Sequence, residues 1–311
     1  MILCAGEALI DMIPTPTLSD REGYVPHTGG AVFNTAVALG RLGARSGLLC
    51  GISTDLFGQQ LMTALVASHV DVTHVIRSDR PTTLAFVQLT DGHATYSFFD
   101  ENSAGRMIGT DDIPPLSDDV TALYCGGISL ACEPGAETYA HLVQTEGTDR
   151  AVMLDPNIRP GFIQDSARYR ARLTRVLALS DIVKVSDEDL NWIFPGPEPL
   201  TAKIDMLRDA GPKIVIMTRG GAGVTAILPD GAEITVPAQR VEVVDTVGAG
   251  DTFNAGVLAH LSENGLLTKS ALRSLSTDDL TAALRFGARV AAVTVSRAGA
   301  NPPWREELSE Q

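Results

Sequence analysis

The sequence predicts an α/β fold: a mostly parallel central sheet with helices covering both faces. Three observations carry this expectation. Apolar strand-like runs alternate with helix-like runs along the whole chain. The strand-like runs are continuously apolar, as expected of strands buried on two sides. The chain has 311 residues, 44% hydrophobic and 20% charged, which suits a soluble globular chain with a sizeable core.

The strand-like runs are 2–10, 46–52, 123–128, 151–155, 182–185 and 214–218. Between and after them, helical spacing of apolar residues covers 34–42, 59–68, 137–145, 167–179, 202–210, 252–261 and 280–295. One segment breaks the rhythm. Two alternating runs, 83–90 and 93–99, flank Asp91-Gly92, a strong hairpin signal. A hairpin does not belong inside a parallel sheet. It is expected to project as a small lid together with the extended stretch 23–27, the lid spanning about 12–28 and 82–105 of a single domain over 1–311. The lid's apolar face needs cover, and a second subunit is one candidate.

The formal net charge is −14, which makes nucleic acid and anionic membrane poor partners. No apolar run is long enough to span a bilayer. Glu7 and Asp11 come early and no basic segment precedes them, which argues against a signal peptide. Cys4, Cys50, Cys125 and Cys132 show no metal-ligand spacing and read as small buried hydrophobes in a reducing cytoplasm. The six histidines form no ligand pattern and read as structural or surface residues.

Asp245-Thr246-Val247-Gly248-Ala249-Gly250-Asp251 is the most informative stretch. It follows an extended run and opens a helix-like one. Its two glycines let the backbone turn tightly and converge several N–H groups. At a helix N-terminus those groups favour an anion. Asp251 sets a carboxylate beside that site, where it is useful for taking a proton from a nucleophile attacking the anion. Phosphoryl transfer to a hydroxyl needs both parts together. A plain capped turn is the alternative.

Other turns follow strand-like runs, where open α/β sheets bind ligands. Asp11 ends the first run and can accept from a polyol, or serve as a simple strand-end residue. Gly29-Gly30 lets backbone approach a ligand closely, and Asn34 offers a donor and an acceptor. Asp155-Pro156-Asn157-Ile158-Arg159-Pro160 gathers acid, amide and guanidinium; Arg159 either offsets phosphate charge or pairs with Asp155. Ser186 with Asp189 reads as a capping box, and the acids there can hold magnesium through its waters. Thr218-Arg219-Gly220-Gly221-Ala222-Gly223 lets backbone pack on a nucleotide, or is simply a tight turn.

Three rival readings weaken on inspection. Gly221-x-Gly223-x-x-Ala226 resembles a dinucleotide fingerprint of NAD-dependent dehydrogenases, but the residues after it read as a β-hairpin rather than the required helix. Gly127-Ile128-Ser129-Leu130-Ala131 resembles a hydrolase elbow with Ala in the last glycine place. A non-catalytic sugar-binding protein would keep Asp11 and Asn34 and have no need of Asp251.

Taken in order, these stretches resemble the ribokinase-like (PfkB) family of carbohydrate kinases, from Gly6 to Trp304. The 245–251 stretch is similar to its C-terminal signature, and Gly29-Gly30 with Asn34 to its N-terminal one. The resemblance implies a three-layer α/β/α sandwich with a small β-sheet lid that often mediates dimers. It implies Asp251 as catalytic base, with Gly248, Ala249 and Gly250 as an anion hole. Asp11, Gly29, Gly30, Asn34 and Arg159 then belong near sugar or phosphate. Lys184, Ser186, Thr218, Gly220 and Gly223, with Gly248 and Gly250, belong near ATP. Asp189 or Glu188 would serve Mg²⁺ through water, although the family's Asn-x-x-Glu is here Ser186 and Asp189. Asp245, Val247 and Gly299 match positions that bind a monovalent cation such as K⁺ in many relatives.

The implied activity is ATP-dependent transfer of the γ-phosphate to a primary hydroxyl of a neutral sugar. The stretches 6–11 and 184–188 resemble bacterial fructokinases, so fructose is the expected acceptor. Asp100 and Glu101 at the lid end would repel a sugar acid such as 2-keto-3-deoxygluconate, although Arg106 opposes this. Ribose and nucleosides are the remaining candidate acceptors. A cytoplasmic homodimer joined through the lid completes the expectation.

Overall fold

The computed structural model describes residues 1–17, 21–90 and 93–308. In chain order its strands are β1 (Ile2–Ala5), β2 (Leu9–Pro16), β3 (Glu22–Gly29), β4 (Ser46–Leu49), β5 (Gly51–Ser53), β6 (Ile76–Ser78), β7 (Leu84–Thr90), β8 (His93–Phe99), β9 (Ala122–Gly126), β10 (Ala151–Asp155), β11 (Ile182–Ser186), β12 (Ile214–Thr218), β13 (Val224–Ile227) and β14 (Glu233–Val236). The helices are α1 (Ala31–Arg41), α2 (Leu56–Ala67), α3 (Gly135–Glu146), α4 (Ser166–Leu177), α5 (Asp187–Ile193), α6 (Leu200–Asp209), α7 (Ala249–Glu263), α8 (Lys269–Arg273) and α9 (Thr277–Val295).

Eight strands form the main sheet in the order β14-β13-β12-β11-β10-β9-β1-β4. It is parallel from β12 to β4, and β13 and β14 add an antiparallel edge. Side chains alternate across it with period two. Ile2 and Cys4 of β1, Tyr124 of β9 and Met153 of β10 join one core with α1, α7 and α9. Leu3, Ala5, Leu123, Cys125, Val152 and Leu154 join a second core with α3, α4 and α6. Both faces are therefore buried, and the fold is a three-layer α/β/α sandwich.

A second sheet runs β3-β2-β7-β8, with β2 and β7 parallel and the outer pairs antiparallel. The β7–β8 ladder pairs Leu84 with Phe99 through to Thr90 with His93, as the hairpin signal predicts. Asp91 and Gly92, the predicted turn, lie outside the described residues.

Three predicted strands are too long. The run 2–10 is two strands in two sheets, because Gly6 packs against Val32 and Glu7 turns toward the start of α1. The run 46–52 divides at Cys50 between β4 and β5. The run 123–128 stops at Gly126, where positive φ and the Asp155 carbonyl leave no space for a side chain. The predicted helices begin one to three residues late, since the first turn is built from capping and glycine positions that precede the apolar stripe. Val224–Ile227 and Glu233–Val236 form an antiparallel hairpin, so the Gly221–Gly223 turn has no helix beneath it and cannot cradle a dinucleotide pyrophosphate.

Candidate active site

A cavity of about 790 Å³ lies between the two sheets, beyond the C-terminal ends of β1, β9 and β10. Its walls include Asp11, Gly30, Asn34, Arg159, Lys184, Val247, Gly248, Ala249, Gly250 and Asp251. Residues from both ends of the sequence thus line one cavity.

The 245–251 turn folds as its composition requires. Gly248 is left-handed (φ 77°) and a side chain there would strike Ala300. Helix α7 starts at the next residue, so its positive dipole end borders the cavity, lined by Gly248 to Asp251, with the Ala249 N–H donated to the Thr246 carbonyl at 3.3 Å. Asp251 lies on that first turn, 7% exposed. Its Oδ2 accepts from Asn34 Nδ2 at 2.9 Å, and its backbone carbonyl accepts from Thr35 Oγ1 at 3.2 Å. Helix α1 therefore grips α7 at the carboxylate. Burial raises the Asp251 pKa from 3.8 to about 7, with the Asn34 bond and Lys184 opposing the shift and Asp155 reinforcing it. A carboxylate with a pKa near 7 has the proton affinity of an effective general base.

Lys184 crosses the floor beneath that turn. Its Nζ donates to Asp155 Oδ2 at 3.0 Å, and a methyl group on Gly250 would come within 3.2 Å of it. Asp155 also accepts from Asn254 Nδ2 at 2.7 Å, and the same amide donates to the Tyr124 hydroxyl at 3.0 Å. The neighbouring carboxylates raise the Lys184 pKa against its desolvation. A buried, permanently charged ammonium is thus fixed beside the amides of the turn. The alternative pairing of Asp155 with Arg159 is not formed. Arg159 instead stands exposed on the cavity rim, its Nη1 donating to the Ile158 carbonyl at 3.1 Å.

On the opposite wall, Asp11 faces the cavity from β2, and burial raises its pKa to about 6. Gly29 does not line the cavity; it stands behind Asp11, where any side chain would overlap the Asp11 carboxylate. Gly30 (φ 104°) turns the chain into α1. No side chain of its own caps α1; Glu7 does so, accepting from Ala31 N at 3.0 Å and from Ser129 N at 3.3 Å. Burial raises the Glu7 pKa. Sequence reading does not single out Glu7 as a site residue, although its place directly after β1 is a signal. Ser129 is buried and its hydroxyl donates to the Gly126 carbonyl, so the elbow-like stretch carries no nucleophile.

From the second sheet, Phe98 meets Phe162 edge-to-face, ring centroids 4.2 Å apart. Both line the cavity, so this contact bridges the mouth between the sheets. Asp100, Glu101 and Arg106 complete that end.

The remaining predicted residues lie outside the cavity wall. Ser186 and Thr218 are register partners at the ends of β11 and β12. Gly220 is exposed with open space around it, while Gly223 is buried where a side chain would strike the Val236 carbonyl. Asp189 is committed to the capping box, accepting at Oδ2 from Ser186 N (2.8 Å) and Ser186 Oγ (2.7 Å), and at Oδ1 from Ile158 N (2.7 Å). Glu188 beside it is exposed. Among the described residues no group of three or more acids, histidines or cysteines forms a metal cage. Magnesium fits such a site, because it keeps its waters and is carried by one or two carboxylates with substrate phosphates. Asp245 accepts from Val247 N at 3.0 Å and from Gly299 N at 2.8 Å. The three residues predicted around a monovalent cation are therefore joined by one carboxylate.

Comparison with known proteins agrees with this arrangement. The family model for pfkB family carbohydrate kinases matches residues 1–307. A fructokinase of Rhizobium leguminosarum bv. trifolii is 50% identical over 281 residues, covering 90% of this chain and 85% of the relative. The structure of a Xylella fastidiosa fructokinase with bound ATP superposes with a TM-score of 0.89 at 29% identity, covering 99% of this chain and 97% of that one. A fructokinase double mutant from Vibrio cholerae O395, in a form with bound fructose, ADP and potassium, gives 0.82 at 25% identity, covering 96% and 93%. A match over nearly the whole chain, with the glycine turn and its buried acid facing the cavity, means that this chain belongs to the pfkB family of carbohydrate kinases.

Proposed function

We propose that this chain is an ATP-dependent fructokinase. One observation carries the chemistry: Asp251 is buried in the cavity wall on the first turn of a helix whose opening residues, Gly248 to Gly250, line the same cavity. Asp251 takes the proton of the primary hydroxyl while Asn34 holds the carboxylate in place. The hydroxyl oxygen bonds to the γ-phosphorus as the bond to ADP breaks in line. The turn at Gly248, Ala249 and Gly250 and the Lys184 ammonium meet the charge on the migrating group. Bound magnesium would neutralise phosphate charge; Asp189 and Glu188 at the start of α5 are the candidates to hold it, and of these two Asp189 is already committed to the capping box. Asp245 would organise the K⁺ site with Val247 and Gly299.

Asp11 and Asn34 read the sugar hydroxyls, with Gly29 and Gly30 shaping that wall and Arg159 waiting at the rim. Ser186, Thr218, Gly220 and Gly223 form the nucleotide side, at the ends of β11 and β12. The whole chain acts as one kinase domain, with the second sheet as its lid. Tyr24, Val25 and Phe99 leave apolar surface exposed on that sheet, which supports a homodimer joined there. Among the described residues no helix is long and apolar enough to cross a membrane, in keeping with a cytoplasmic enzyme. Release of ADP, measured across fructose, ribose, adenosine and 2-keto-3-deoxygluconate, tests the assignment. Fructose is expected to give the highest kcat/KM; robust turnover of the sugar acid without fructose overturns it.

A further inference from the structure

The lid end of the cavity holds an ion pair that the phosphoryl-transfer chemistry does not use. Arg106 Nη1 donates to Asp100 Oδ1 at 2.9 Å, and Arg106 Nε donates to the Glu133 carbonyl at 2.8 Å. Both side chains line the cavity, with side-chain exposures of 19% and 10%. The Arg106 backbone N–H adds a bond to Ser103 Oγ at 3.2 Å. The guanidinium is thus held on two sides, and its charge is matched by a carboxylate in the same wall.

Glu101 and Asp11 line the cavity too, and neither takes part in that pair. An entering sugar therefore meets a lid end where Arg106 is already paired and Asp11 and Glu101 add carboxylates, with Arg159 out on the exposed rim. A neutral sugar loses nothing by this. At the lid end a sugar carboxylate must displace Asp100 from Arg106 or sit beside like charges, and juxtaposed like charges discriminate strongly.

We propose that Asp100 sets the charge selectivity of this site: by engaging Arg106 it keeps the cavity suited to neutral sugars and closed to sugar acids. The proposal deepens the fructokinase reading and rests on it. Without the Asp100 charge, Arg106 becomes a mostly buried cation lacking its counter-ion, and a carboxylate arriving with substrate supplies one.

The test uses Asp100→Asn, which keeps shape and an acceptor for Arg106, and the double variant Asp100→Asn with Arg106→Gln. The readouts are kcat/KM for 2-keto-3-deoxygluconate relative to fructose, and the melting-temperature rise caused by 2-keto-3-deoxygluconate without nucleotide. One charge-assisted hydrogen bond corresponds to about 10- to 100-fold in affinity. The single variant should raise the acid-to-fructose ratio by about that factor and gain a thermal shift that wild type lacks. The double variant should lose both gains. An unchanged ratio in a folded single variant overturns the proposal, as does a gain that survives loss of Arg106. Failure of wild type to phosphorylate fructose instead overturns the fructokinase reading, and the thermal-shift comparison still judges Asp100.

Discussion

Replacing Asp251 with Asn should make this protein more stable while disabling it, and the gain should depend on pH. The folded pKa of about 7 lies above the ordinary 3.8. The folded protein thus retains a proton that the unfolded chain releases between those values. The stability tied to this proton is fully present below about pH 4 and is lost as pH rises through 7. The gap is about three pH units, worth up to about 4 kcal/mol at pH 8. For 311 residues the melting entropy is about 0.65 kcal/mol/K, so the ceiling is about 6 °C. The amide oxygen of the variant can still accept from Asn34, so that bond need not be lost. Scanning calorimetry of both proteins at pH 8, 6 and 4 is the assay. The variant should melt several degrees above wild type at pH 8, less at pH 6, and level with it at pH 4. Its kcat should fall roughly 10²–10⁴-fold. A melting difference that is absent or the same at every pH refutes the buried-base argument.

Three further outcomes follow from the site. Gly29→Ala places a methyl group onto the Asp11 carboxylate; KM for fructose should rise about tenfold or more with KM for ATP little altered, and steady-state kinetics with each substrate varied checks this. Lys184→Met leaves Asp155 buried without its cation, which should cost about 3–5 kcal/mol and lower Tm by about 5–8 °C; adding Asp155→Asn should recover most of the Tm loss. Asp245→Ala frees the Val247 and Gly299 backbone from their shared carboxylate; activation by potassium, titrated in a choline background, should be lost.

Local chemistry explains why so much of the fold is legible in the chain. The six apolar runs each overlap a main-sheet strand, because strands buried on both faces must be largely apolar. The runs at 151–155 and 214–218 match β10 and β12 at both ends. Where an apolar run outlasts its strand, backbone geometry intervenes. Positive φ at Gly126, and the turn at Gly6, Glu7 and Ala8 between β1 and β2, leave little mark on hydropathy. The capping box at Ser186 and Asp189 is legible because its two members are only three positions apart, and the same box explains why Asp189 is poorly placed to hold a metal.

The sequence by itself determined that a glycine turn with an acid on its helix would form late in the chain, since φ at Gly248 and the helix dipole are local matters. It likewise determined a parallel sheet and a hairpin apart from it. Only the tertiary structure decided which partners the charges keep. Asp251 meets Asn34 from 217 positions away, Asp155 chooses Lys184 over its near neighbour Arg159, and Arg106 is spoken for by Asp100. Charge pairing depends on distance in space and on local burial, and neither quantity exists until the strands have set their order.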